Sequence, residues 1–138
     1  MDKPIPDNQA PSAGELDAYQ RACPRLVEKT VERILVRNDI PPIFGEKSRE
    51  TLTAGMLFTA QTLEAVMTVA SAEILAQQLD WLKIYLSGVG VPPEVVLYNM
   101  TIFAEVLREY LPPEQYPALG HWAQRMVEQQ RAISGRAD

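Results

Sequence analysis

Apolar positions recur three and four residues apart along most of the chain, and no segment alternates strictly between apolar and polar. The first spacing belongs to helices and the second to strands. The pattern therefore predicts an all-α fold, a single-domain bundle of about five helices. A globin-like arrangement is one packing open to them.

Ser12, with Glu15 three residues on, reads as a capping box. The helix it opens runs from about Gly14 to Arg37, with Leu16, Cys23, Val27, Val31 and Ile34 on one face. Pro24 falls inside it and predicts a kink, or a short helix followed by a longer one. NDIPPIFGEK, residues 38–47, reads as a loop pinned by Ile43 and Phe44. The second helix runs from about Ser48 to Val69, with a core stripe of Leu52, Met56, Leu63, Val66 and Met67. Beside that stripe lie the small residues Gly55, Thr59 and Thr62. The stretch from Thr51 to Ala72 carries one charge, Glu64, which predicts the central, buried helix of the bundle.

A third helix is expected from about Ser71 to Leu86, where Ser87-Gly88-Val89-Gly90 supplies a glycine stop. Pro92-Pro93-Glu94 starts a fourth, which continues to about Leu111. Pro112-Pro113-Glu114 repeats the device and starts a fifth, running to about Ala132. Tyr116, Leu119, Trp122, Met126 and Ile133 form its inner face. Residues 1–12, broken by Pro4, Pro6 and Pro11, read as a disordered arm, 13–133 as the helical domain, and 134–138 as a frayed tail.

Composition removes several function classes. A net charge of −5 argues against nucleic acid, whose binders carry a basic excess. A single cysteine, Cys23, rules out an internal disulfide and a cysteine zinc site, and fits a cytoplasmic setting. The stretch 51–72 is long enough to span a membrane, but Gln61, Glu64 and five threonines within it argue for a soluble helix. His121, the sole histidine, projects onto the polar arc with Glu114, Arg125 and Glu128, so it reads as a solvated residue. Cys23 reads as a small buried hydrophobe. Arg21, Arg25, Lys29, Arg33 and Arg37 step along the first helix, but Asp17, Glu28 and Glu32 share their arc at pairing distance. No nucleophile–base pair, metal cluster or phosphate loop appears, which points away from an enzyme.

The informative residues are polar ones on apolar faces. Asn99 falls among Val95, Ile102, Phe103 and Val106, Gln78 near Leu75, Leu82 and Tyr85, and Thr59 on the core side of the second helix. Left unpaired, a buried amide costs about 1–3 kcal/mol. Such groups either pair with one another or line a polar-tipped cavity. In the second case Thr59, Gln78, Trp81, Tyr85 and Asn99 are the candidate ligand-binding residues. Leu97 and Tyr98 fall towards the polar arc of the fourth helix, as candidate contacts for a second copy or another protein.

GEKSRETLTAGMLFTAQTLEAVM and LDWLKIYLSGVGVPPEVVLYNMTIFAEVLREYLPPE lie within residues 45–114, about half the chain. Their threonine/leucine helix, WL stretch, GVPPE helix start and LPPE finish resemble the helical domain upstream of the cobalamin-binding domain in bacterial corrinoid-type regulatory proteins. They are also loosely similar to haemless globin-like sensor domains. The Asp-x-His-x-x-Gly loop of the cobalamin domain is absent, and so is the Trp-x9-Glu-His cap. Ten residues after Trp81 comes Val91, and ten after Trp122 comes Ala132. The resemblance implies a stand-alone helical sensor or regulatory module without cobalamin ligands. The expectation is a non-catalytic, self-associating regulatory or interaction module. It has no cofactor, nucleic acid or membrane partner. The alternative is a sensor for a small ligand or a tetrapyrrole.

Overall fold

The structure, a computed structural model, describes residues 8–36, 48–88 and 90–135. Among these the chain forms five α-helices and no strand: α1 (Ala13–Leu35), α2 (Ser48–Val69), α3 (Ala72–Gly88), α4 (Pro93–Tyr110) and α5 (Pro117–Ser134). The expected all-α bundle is the fold. The loop at 38–47, with Ile43 and Phe44, and the end of the tail lie outside the described residues.

α1 begins where the capping box places it: the Glu15 amide donates to Ser12 Oγ at 3.1 Å. It continues as one helix through Pro24, so the expected division into a short helix and a longer one does not occur. The links after α2 and α3 each use a left-handed residue. Ala70 has φ 51° and lets Ser71 cap α3, with the Ile74 amide donating to Ser71 Oγ at 3.2 Å. Gly90 has φ 85°, a conformation that glycine adopts without strain, and the Val91 amide returns to the Leu86 carbonyl at 2.8 Å.

α5 begins later than its PPE signal suggests. Pro113, Glu114 and Gln115 form a turn, closed by the Gln115 and Tyr116 amides on the Pro112 carbonyl. Pro117 excludes Tyr116 from helical conformation, and Tyr116 accordingly sits at φ −131°, ψ 64°. The turn lies against α5 at Gly120, where a Cβ would come within 3.3 Å of Pro113.

α4 packs along α5 and α1, α1 also along α2, and α3 leans on α5. Leu26, Leu63, Phe103, Leu107, Leu119 and Trp122 are wholly removed from water at the centre. Each contributes about 1.5–3 kcal/mol by burial. The most enclosed helix is α5, which buries nine residues, and not the charge-poor α2. α2 buries Leu52, Met56, Thr59, Ala60, Leu63, Val66 and Met67, but Thr51, Ala54, Gly55, Phe58, Gln61, Ala65 and Val69 stay exposed. Its lack of charge belongs partly to an open face rather than to a central position. Within α2, Arg49–Val69 is long and apolar enough to cross a membrane by length and composition, with 39% of the window buried against the bundle.

The end of the N-terminal arm is tied down. Trp122 donates its indole N–H to the Gln9 carbonyl at 2.9 Å, and Pro11 is buried. Residues 1–7 lie outside the described residues.

Candidate functional site

α2 and α3 run side by side and bury their leucine stripes inward, which leaves a gap between their outer edges. α4 closes the bottom of that gap with Val96, Asn99 and Met100. The result is an open groove of about 500 Å³. Thr51, Ala54, Gly55, Phe58 and Thr59 of α2 form one side. Trp81, Leu82, Tyr85 and Leu86 of α3 form the other. The volume falls within the range of sites that hold small organic ligands.

The groove gathers four of the five candidate ligand-binding residues: Thr59, Trp81, Tyr85 and Asn99. Asn99 is half-buried, and its Oδ1 is closed off from water with no hydrogen-bond partner among the described residues. Thr59 is buried, with its hydroxyl donating to the Gly55 carbonyl at 3.0 Å. Trp81 and Tyr85 stand one helical turn apart with rings stacked, centroids 5.5 Å and planes 10° from parallel. Both are about half exposed, 52% and 55%. Phe58 faces Trp81 from α2 at 6.3 Å.

Gln78, the fifth, does not reach the groove. It is exposed and borders a neighbouring hollow of about 10 Å³, shared with Thr62, Leu63, Leu75 and Met126. That space holds no more than about one water. Leu75, Leu79 and Leu82 take the inward direction of α3, which turns Gln78 to the edge.

The candidate interface residues also differ from expectation. Leu97 and Tyr98 are half-buried and packed against the core, because α4 has neighbours on most of its circumference. The apolar side chains that do face water are Phe58, Trp81 and Tyr85 at the groove rim, Leu57, Val69, Ile74 and Ile84 on the same two helices, and Val36 at the end of α1. Of the groove's residues, Thr59 and Asn99 were visible in sequence as polar residues on apolar arcs and Gly55 as part of a small-residue track. Ala54, Phe58 and Val91, which complete its wall, carried no signal of their own.

The remaining titratable residues lie elsewhere. His121 is half-buried rather than solvated and meets Trp122 edge-on at 5.5 Å. Tyr19 is buried and donates to the Ala60 carbonyl at 2.7 Å. Burial, then Cys23, then Glu64 push its phenol far above the usual tyrosine range. The half-buried Cys23 thiol is pushed up by burial, the opposite of what an activated thiolate needs.

On the basic face of α1, Arg21 pairs with Asp17 at 3.0 Å and Lys29 with Glu32 at 3.4 Å. Arg33 crosses to α4 and grips both oxygens of Glu109, whose carboxyl that bond holds below the usual range. Arg37 lies outside the described residues. Among the described residues, no three His, Cys, Asp or Glu side chains gather as a metal site would require.

No family model matches this chain, and neither the curated proteins nor the solved structures contain a significant match to it.

Proposed function

We propose that this chain is a non-catalytic helical binding module, of sensor or regulatory type, whose working surface is the groove between α2, α3 and α4. The observation that carries this reading is the groove itself: about 500 Å³ of open space walled mainly by apolar side chains, with the rings of Phe58, Trp81 and Tyr85 left exposed beside it. The exposed rings of Phe58, Trp81 and Tyr85 add roughly 300 Å² of apolar surface at the rim. Patches of this size are often functional.

The test is calorimetric titration with naphthalene, alongside Gly55→Leu. A Cβ at Gly55 would meet nothing within 4 Å, so a leucine there extends into the groove without displacing the backbone. Naphthalene is expected to saturate at one per chain and to lose binding in Gly55→Leu. Absence of saturable binding, or binding that ignores the substitution, would sink this reading.

A second reading, self-association, has its own observation. Ile84 is 73% exposed on the outer arc of α3, and Leu57, Val69 and Ile74 are further exposed apolar side chains on α2 and α3. Light scattering tests it: a dimer that Ile84→Lys dissociates supports it, and a monomeric wild type at high concentration ends it.

A further inference from the structure

Resting on the groove as the working site, we infer that it takes a small, uncharged, ring-bearing apolar molecule and holds it by contact area alone, without a polar anchor.

Smallness follows from the shape of the site. Leu52, Met56, Leu82, Val91, Val96 and Met100 line the groove and are themselves buried. The site is therefore a recess between three helices, at a volume that suits a compact ligand. A second copy lying across its mouth would meet chiefly the rings of Phe58, Trp81 and Tyr85. Their roughly 300 Å² of exposed apolar surface is well under the ~800 Å² per partner of a standard interface.

Neutrality follows from the lining. Among the described residues, no Asp, Glu, Lys, Arg or His borders the groove. A charged group carried into it would shed hydration and find no counter-charge.

The polar groups that do border the groove leave a ligand nothing to bond. Thr59 is buried, and its hydroxyl already donates to the Gly55 carbonyl. Asn99 Oδ1 is closed even to water, so no ligand atom in the groove reaches it. Thr51, Trp81 and Tyr85 are exposed residues of the rim, where water competes for whatever they offer. What the groove presents is carbon, and affinity for it follows the apolar area removed from water.

The preference for rings follows from the walls. Trp81 and Tyr85 line the α3 side with planes 10° from parallel, and Phe58 stands 6.3 Å from Trp81 on the α2 side. Aromatic surfaces of this kind attract a further ring by offset or edge-on packing. Elsewhere the α2 wall is cut back to Ala54 and Gly55. Gly55 is in mid-helix, where glycine weakens a helix relative to alanine. No neighbour in the chain requires its missing side chain, since a Cβ would stand in open space. What the glycine does is widen the groove.

Four probes at pH 7 test this on the intact chain: toluene, naphthalene, 2-naphthol and naphthalene-2-sulfonate. Calorimetry should rank naphthalene about fivefold tighter than toluene, from its larger apolar area. 2-Naphthol should bind no tighter than naphthalene, and the sulfonate about tenfold more weakly. Gly55→Leu should abolish naphthalene binding, and Trp81→Ala should weaken it about tenfold. If Gly55→Leu fails to fold, Trp81→Ala decides the place, because Trp81 is half exposed and outside the core. Naphthol tighter than naphthalene would reveal a polar anchor, and a sulfonate as tight as naphthalene a tolerated charge. Either result overturns the ligand class, as would equal binding of toluene and naphthalene or unaltered binding in Trp81→Ala. The groove reading would survive those results if Gly55→Leu abolished binding. If no probe binds, or if a folded Gly55→Leu changes nothing, both fall. A dimer that Gly55→Leu converts to monomer would put a second copy in the groove and overturn the inference in that way.

Discussion

The two tryptophans of this chain show the difference between its two sides. Trp122 on α5 is wholly buried, gives its N–H to the Gln9 carbonyl, and lies against His121. Trp81 on α3 is half in water and stacks on Tyr85 at the rim of a groove. On the Trp122 side, several polar groups that could be stranded are paired. Glu15 accepts from the Ala118 and Leu119 amides, at 3.0 and 3.4 Å, and so caps a helix that has no side-chain cap of its own. Tyr19 and Thr30 bond to the Ala60 and Leu26 carbonyls. Around Trp81, Asn99 stays unpaired and the rings stay wet. Gln130 shows that an orphan alone is not a site. Its Oε1 is also buried without a partner, but its Nε2 is held by Ser134 and it borders neither described cavity. Where stability is the task, rings are buried and donors matched. Where they are left otherwise beside a cavity, binding is the economical explanation.

Replacing each tryptophan by alanine is the broadest way to break this comparison. Trp122→Ala should cost about 3–5 kcal/mol in urea unfolding. Trp81→Ala should cost less than about 1 kcal/mol. Similar losses would mean the two sides are not differently built.

Glu15 comes next. Its removal takes away half of the α1 capping box and the side-chain cap it provides to α5. Glu15→Ala should therefore lose about 2 kcal/mol, with Glu15→Gln recovering part of it.

Tyr19→Phe removes one buried hydrogen bond and should cost about 1 kcal/mol at neutral pH. It also has a pH signature. The folded chain holds the phenol proton more tightly than the unfolded chain, whose tyrosine titrates near about 10. Below that pH both states keep the proton and the contribution is complete. Above it the unfolded chain releases its proton first, so wild-type stability falls as pH rises. That alkaline decline should flatten in Tyr19→Phe; an unchanged limb would assign it to other groups.

The smallest effect has the opposite sign. Gly55→Ala should stabilise the fold by about 0.5–1 kcal/mol, because an exposed mid-helix glycine gains helix propensity and its new Cβ meets nothing. A loss of stability would show that the groove wall is more tightly constrained than it looks.

Much of this was legible in the sequence. Helix α2 has its predicted bounds, Ser48–Val69, because Leu52, Met56, Leu63, Val66 and Met67 keep one strict period. Asn99 and Thr59 showed themselves as polar residues on apolar arcs, and both came to the groove. Gln78 and Leu97 show the limit. A wheel gives a residue's direction about its own helix axis, and says nothing of what stands opposite. Gln78 lay within an apolar arc that no helix covers at that angle. Leu97 lay on a polar arc that the bundle covers anyway.

Local chemistry, then, determined the helices of this protein and most of their limits. Periodicity, capping residues and proline act within a few positions of each other, so they can be read along the chain. Only tertiary packing decided which uncharged face would be core and which would be groove. Burial depends on a second surface from a distant segment. α1 covers the inner stripe of α2 and α5 that of α3, while Phe58, Trp81 and Tyr85 are left exposed. The same assembly brought Glu15 to the start of α5 and Trp122 to Gln9, contacts spanning more than a hundred residues.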